Sequence, residues 1–177
     1  SFLLKLNLSK NRDCCKFHSF ATAPLFKVSF CMEWIFKSFD ELTNEELYAV
    51  LKLRFEVFVI EQNCLDIDPD GKDKVSMHLM LEDDGKIIGC ARILPPKVSY
   101  DEPSIGRIAL DKSYRGKGLG REIVQKCIDF IHNIMKIQKI RISGQAYLLD
   151  FYKSFGFVVT EGPYLEDKIP HYQMLLS

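Results

Sequence analysis

No apolar run in this chain reaches the about 18 residues that a membrane-crossing helix needs. Net charge is missing too: 24 Lys and Arg offset 24 Asp and Glu, so bulk electrostatics give no affinity for nucleic acid. The six cysteines, at 14, 15, 31, 64, 90 and 127, contain no Cys-x-x-Cys pair, which argues against zinc-ribbon and thioredoxin-type sites. Cys90 and Cys127 fall in a predicted strand and a predicted helix, where a buried thiol is ordinary. That usage reads as a reducing, cytoplasmic setting without metal. The short apolar start, interrupted by Lys5, does not read as a secretory h-region. Neither a repeat nor a linker divides the rest, so 177 residues with 47% hydrophobic content make one domain with a sizeable core.

Two nucleotide-binding signatures are also lacking. No Gly-x-x-x-x-Gly-Lys-Ser/Thr run exists, and a Gly-x-Gly-x-x-Gly frame begun at Gly116 ends on Arg121. What the chain does hold is Tyr114-Arg115-Gly116-Lys117-Gly118-Leu119-Gly120-Arg121, between a predicted strand at 104–110 and an apolar-periodic helix at 118–134. Glycines at alternate positions leave backbone N–H groups unobstructed, and a helix N-terminus adds partial positive charge. Arg115 and Lys117 add full charges, so the segment suits a phosphate or pyrophosphate. The plainer reading of the same residues is a tight turn with solvated cations.

The remaining pattern is mixed. Trp34 to Phe39 alternates like a strand, and Thr43 with Glu46 forms a capping box for a helix running to about Val59. An acidic loop at 62–74 follows, then strands at Val75–Glu82 and Lys86–Leu94 joined by Asp84-Gly85, a hairpin signal. Pro95-Pro96 and a loop at 97–103 lead to the 104–110 strand. After the 118–134 helix come a strand at 139–143, a helix at 148–155 stopped by Gly156, and strands near 157–160 and 171–176. This β-α-β-β-β-α-β-α-β-β order contains an antiparallel hairpin, so the expectation is an α/β (α+β) fold with a mixed sheet and helices on both faces. The loop's Asp66-x-Asp68-x-Asp70-Gly71 imitates half an EF-hand. Its fourth position is Pro69 and its twelfth Met77, which argues against calcium and leaves an acidic border for a cationic amine's route.

Several segments carry a family resemblance. Arg115-Gly116-Lys117-Gly118-Leu119-Gly120 resembles the Arg/Gln-x-x-Gly-x-Gly/Ala coenzyme loop of the GNAT N-acetyltransferases, and Tyr152 to Phe157 resembles their Tyr-x-x-x-Gly-Phe element. Leu53 to Gln62, Asp70-Gly71-Lys72-Asp73, His78-Leu79, Ala91 to Leu94 and Glu166-Asp167-Lys168-Ile169-Pro170-His171 resemble the narrower ElaA-type group. The resemblance runs from Met32 to the end, so the expected domain is 32–177. Residues 1–31, with five basic residues against one acid, are read as an unstructured upstream extension or a gene-model artefact.

The resemblance implies a mixed, mostly antiparallel sheet whose two central parallel strands, here 104–110 and the one beginning at 139, splay apart. It implies acetyl-CoA as co-substrate without metal, and a small amine or peptide N-terminus as acceptor, with homodimerisation open. Residues 115–121 would hold the coenzyme's phosphates, and the backbone of Ile108, Ala109 and Leu110 its pantetheine arm and thioester carbonyl. Tyr152 takes the place of the family's thiolate-protonating tyrosine. The carboxylate that many members carry on the first splayed strand is missing; Arg107 stands there. The proton acceptor is left open among Glu61, His78, Glu166, His171 and a water path, with Glu61 the first choice. Gln145 and His171 are assigned to the acceptor. Arg54 either pairs with Glu56 or meets an acidic group of the acceptor. The alternative function is a non-catalytic module that binds acyl-CoA.

Overall fold

A computed structural model describes residues 32–64 and 67–177; the expectations for 1–31 and Asp66 lie outside them. The first strand, β1 (Glu33–Ser38), leads through a short turn into α1 (Asn44–Arg54). The capping box forms as expected: Thr43 Oγ1 accepts from the Glu46 N–H at 3.1 Å, and the Thr43 N–H donates back to Glu46 Oε2 at 2.9 Å. The helix runs beyond Val59, widening into π-type turns over Phe55–Glu61.

Next come β2 (Met77–Asp83) and β3 (Lys86–Leu94). Asp84 and Gly85 between them have φ of 51° and 75°, the left-handed pair of a tight hairpin. The strand β4 (Ser104–Leu110) precedes the glycine loop and α2 (Leu119–Phe130), which also widens over Ile131–Met135. Then follow β5 (Ile140–Gln145), α3 (Leu149–Lys153), β6 (Val158–Glu166) and β7 (Ile169–Leu176). The seven strands form one sheet in the order β1-β2-β3-β4-β5-β7-β6. All neighbours are antiparallel except β4 and β5.

That parallel pair is the architectural hinge. Its register holds only at Ser104 opposite Arg141, supported by the Arg141 N–H donating to the Pro103 carbonyl at 3.0 Å. Beyond that point the strands diverge toward Leu110 and Gln145 as a V. A bulge on the other edge of β4 bends it further. Cys90 faces Ala109 and Arg92 faces Gly106, so Arg107 and Ile108 together oppose one residue of β3. Arg107 itself is left-handed, with φ of 51°.

The two sheet faces are covered unequally. One face packs α2 and α3 in a core that includes Ile123, Cys127, Ile140, Ile142, Tyr152 and Phe157. The other packs Val50, Leu53 and Val57 of α1 and its extension against Met80, Cys90 and Ala109. Burial pushes the Cys90 thiol up to about 12, which makes it inert packing.

A buried ion cluster ties α1, the acidic loop, β3 and β4 together. Arg54, 1% exposed, donates from Nε to Asp68 and from Nη1 to Asp73, each at 2.8 Å. Arg92 grips Asp70 through both terminal nitrogens, at 2.7 and 2.9 Å, and reaches Asp73 at 3.1 Å. Arg107 Nε lies 2.8 Å from Asp68 Oδ1, too poorly aligned for a hydrogen bond but close enough for ionic attraction. Two sequence expectations are thereby corrected. Arg54 does not pair with Glu56, which meets Lys52 instead at 3.8 Å. The carboxylates of Asp68, Asp70 and Asp73 turn inward onto arginines rather than bordering a cation's route.

This cluster generates two predictions. Arg54→Met should destabilise the fold by about 3–5 kcal/mol in urea titration, because Asp68 and Asp73 lose a buried counter-charge. Burial works against ionisation of Asp70 and Asp73, yet the hydrogen bonds and charges of Arg92 and Arg54 outweigh it and hold both carboxyls low. Groups depressed in the folded state contribute stability above their unfolded pKa of about 3.9 and lose it as pH falls. Stability should therefore be level near neutrality and drop below about pH 4, with a shallower drop in Arg92→Met. An equally steep acid slope in that variant would show that the cluster does not govern acid unfolding.

Candidate active site

The mouth of the V is built from the ends of β4 and β5 and the start of α2. Asp111 closes β4 by donating its N–H to the Ile88 carbonyl at 2.8 Å, and its side chain caps the turn that follows by accepting from Ser113. Tyr114 fixes that turn by donating to Asp83 at 2.8 Å. The chain then passes through Gly116 and Gly118, with φ of 76° and 85°, which only glycine adopts without strain. Gly118 is the N-cap of α2 and offers no side-chain acceptor, so the leading N–H groups of that helix have no capping partner.

Gly120 is more telling. Its φ is not left-handed, and a Cβ built on it meets no atom within 4 Å, so neither backbone nor packing calls for glycine there. The same open space lies beside Gly116 and Gly118. Three glycines facing open space at an uncapped helix N-terminus make a cradle for a phosphate group. Lys117 Nζ rests 4.9 Å above the Tyr114 ring. Arg121 lies 4.7 Å over the Phe155 ring and donates to Ser154 Oγ at 2.7 Å, tying α2 to α3.

Arg115 is placed differently from the sequence expectation. Its Nη1 and Nη2 donate to the two carboxylate oxygens of Glu61 at 2.7 and 3.1 Å, and Nε and Nη2 donate to the Leu110 carbonyl at 3.0 and 2.9 Å. The guanidinium thus joins the end of the α1 extension to the end of β4. Glu61 has both oxygens engaged in that pair. His78 is buried: it is 2% exposed, and its Nε2 lies 3.0 Å from the Asp73 carbonyl. Burial lowers the pKa of His78, and the attraction of Asp73 does not restore it.

Tyr152 lies beneath β5 on the α2–α3 face. A Cβ on Gly144 would come within 3.0 Å of its ring, so glycine is what lets the phenol press against the strand. Burial pushes this phenol up to about 12. On the opposite face, Gln145 donates to Gln62 at 3.1 Å, linking β5 to the end of the α1 extension. Beside it lies a cluster only partly foreseen. Ser143 Oγ is 2.8 Å from Tyr164 Oη and donates to Glu166 Oε1 at 2.7 Å. His171, 8% exposed, holds the Ile169 carbonyl at 2.8 Å through Nδ1. Ser143 and Tyr164 escaped the sequence reading because β6 was expected to end at 160. It continues to Glu166, and its turn uses left-handed Asp167 and Lys168, without the glycine that signals such a hairpin.

The glycine loop, the splayed strands and the tyrosine beneath β5 stand in the order the resemblance implies. Residues 44–177 match the family model described as an acetyltransferase (GNAT) domain. A UPF0039 protein of Synechocystis is 39% identical over 145 residues, covering 81% of this chain and 94% of its own. The ElaA protein of Escherichia coli is 34% identical over 145 residues, covering 81% and 95%. The crystal structure of E. coli ElaA superposes with a TM-score of 0.78 over 83% of this chain and 100% of its own. An acyl-CoA N-acyltransferase from Pseudomonas aeruginosa, 36% identical, gives 0.79 over the same shares. The chain is a member of the GNAT acetyltransferase family, in its ElaA-like branch.

Proposed function

We propose that this enzyme moves an acetyl group from acetyl-CoA to a primary amine, on a small molecule or a peptide N-terminus, by direct attack of the amine on the thioester. The observation that carries the reading is the cradle of three glycines at the open end of the β4–β5 V, where nothing in the chain itself needs Gly120. The neighbour described as an acyl-CoA N-acyltransferase supports the same class. When bound, the coenzyme supplies an activated acetyl group and a pyrophosphate handle.

The chain's own residues then have distinct roles. Backbone N–H groups from Gly116 to Arg121 hold the phosphates, with Lys117 and Arg121 adding charge nearby. The edge of β4 at Ile108, Ala109 and Leu110, unpaired toward β5, accepts the pantetheine arm as an added strand and donates to the carbonyl oxygen as negative charge develops there. Arg115 acts through Leu110 and Glu61 as a brace rather than as a phosphate ligand. Gln145 and His171, on the opposite face of β5 from Tyr152, border the acceptor. Arg54 contributes indirectly, by holding the loop beneath that side.

Tyr152 protonates the departing sulfur. Its raised pKa keeps the phenol protonated at neutral pH, and the desolvation that raises it also raises the basicity of a thiolate released beside it. The rival reading, an acyl-CoA-binding module without turnover, draws on the lack of a carboxylate on β4 and the engagement of Glu61. Assaying acetyl transfer to a panel of polyamines, amino acids and peptides decides between them.

Two variants test the assigned roles. Gly120→Asp places a carboxylate in empty space at the second residue of α2, where the helix dipole favours it, so stability should hold or rise slightly. Acetyl-CoA affinity by calorimetry should nevertheless fall about tenfold or more, since the new charge faces the phosphates. Unchanged affinity would remove the cradle from the site. Tyr152→Phe keeps the ring against Gly144, so melting temperature and acetyl-CoA affinity should barely move while turnover drops about 10²–10⁴-fold. Turnover within about threefold of the parent would leave Tyr152 as packing alone.

A further inference from the structure

The acceptor side of the cleft lacks an assigned proton acceptor, because β4 carries none, Glu61 is held by Arg115 and His78 lies beneath the ion cluster. We propose that His171 takes the proton from the acceptor amine, with the Ile169 carbonyl holding its imidazole in the Nδ1–H tautomer. The inference rests on the acetyltransferase reading above.

Placement comes first. His171 on β7 pairs with Gln145 on β5 and with Tyr164 on β6, and directly paired residues share a face. Along β5 the residues Ile140, Ile142 and Gly144 face α2 and α3, so Gln145 and its partners His171 and Tyr164 occupy the other face. His171 and Tyr152 therefore flank the open end of β5 from opposite sides, one beside Gln145 and the other beneath Gly144.

The hydrogen bonds determine which nitrogen is basic. A carbonyl oxygen only accepts, so Nδ1, 2.8 Å from the Ile169 carbonyl, must carry the proton. The lone pair of the neutral ring is then on Nε2. Glu166 Oε2 is 3.8 Å from that nitrogen, too far for a hydrogen bond. Glu166 is itself held by Ser143, and the Tyr164 ring stacks 6.4 Å from the imidazole at 25°. About a tenth of the His171 side chain stays exposed, which gives Nε2 access to an amine or one intervening water.

The proton balance closes. As the N–C bond forms and the C–S bond breaks, the nitrogen's surplus proton passes to Nε2 and the departing sulfur takes the Tyr152 proton. Imidazolium and phenolate then exchange with solvent, leaving amide and free thiol. Of the charged groups on the neighbouring strands, Glu166 of β6 lies 3.8 Å from Nε2, and Arg141 of β5 pairs with Glu102 at 2.9 Å. Tyr100, from the loop before β4, interacts with Tyr164, Glu161 and Glu166, and its phenol, pushed up to about 12 chiefly by burial, stays neutral.

The test compares the parent, His171→Gln and Glu166→Gln on a panel of primary amines with acetyl-CoA. The parent's kcat/KM should fall on an acid limb. His171→Gln should abolish that limb and cut kcat about 10²–10⁴-fold while acetyl-CoA affinity by calorimetry is unchanged. Glu166→Gln, altered at a half-exposed side chain too far from the ring to hydrogen-bond it, should keep the limb. In the free protein, ¹⁵N NMR should show His171 as the Nδ1–H tautomer near neutrality, titrating where the limb falls. His171→Gln within about threefold of the parent, with its limb intact, overturns this inference and leaves the acetyltransferase reading standing. Should that variant fail to fold, an Nε2–H tautomer in the free protein or a mismatch between limb and NMR titration overturns it equally. A parent that binds acetyl-CoA but acetylates no amine overturns both.

Discussion

The single register pair between β4 and β5, Ser104 opposite Arg141, is the constraint on which the rest of the molecule depends. Two parallel strands that paired along their whole length would seal the sheet and leave no internal edge. Here the pairing stops after one step, and the unpaired edge of β4 becomes a surface that another extended chain can complete. Such an edge is ordinarily an aggregation hazard. It is tolerable here because it opens into a cleft bounded by α2 and the end of the α1 extension rather than lying on the rim of the sheet. The bulge at Arg107 and Ile108 helps by bending β4 away from β5, and it sets Arg107 in a left-handed conformation that a side-chain contact must help to hold.

That contact leads into the ion cluster. Arg107, Arg92 and Arg54 come from β4, β3 and α1, and all converge on carboxylates of one loop. Hydrophobic packing alone would leave this polar loop free to move, since Ile67 and Val75 stay exposed. Three guanidinium forks instead give it a defined position against the cleft side of the sheet. Removing one partner is costly because the others stay buried with unbalanced charge. The usual carboxylate of the family on β4 is therefore not simply missing. An arginine takes its place, and β4 contributes to holding the loop rather than to proton transfer.

Much of this was legible in the residues. The capping box at Thr43, the Asp84-Gly85 hairpin, the stop at Gly156 and the glycine loop are local signals, each dictated by backbone geometry within a few positions. The mixed sheet followed from element order, and the splay came only from the family resemblance. What the sequence hid was pairing at long range. Glu61 and Arg115 are 54 residues apart, and Arg54 finds Asp73 rather than its near neighbour Glu56. Arg54 and Glu56 stand two apart, a spacing that a helix sends to different faces, and a side chain buried to 1% exposure must take whichever carboxylate is buried with it. β6 was underestimated because its turn is built from Asp167 and Lys168, whose left-handed backbone no glycine announces.

Both ends of the proposed proton path converge on three consecutive residues of β5. Ser143 points to the Tyr164–Glu166 cluster, Gly144 admits the Tyr152 ring, and Gln145 meets Gln62 and lies opposite His171. Strand alternation sends neighbouring residues to opposite faces, so one strand end sets the proposed acid below and the proposed base above without either contacting the other. Their separation by the sheet matters chemically. A phenol and an imidazole in direct contact would share a proton and titrate as a pair, whereas groups on opposite faces keep independent protonation states. The splay supplies the gap between the strands, and the alternation of β5 supplies its two chemically distinct sides.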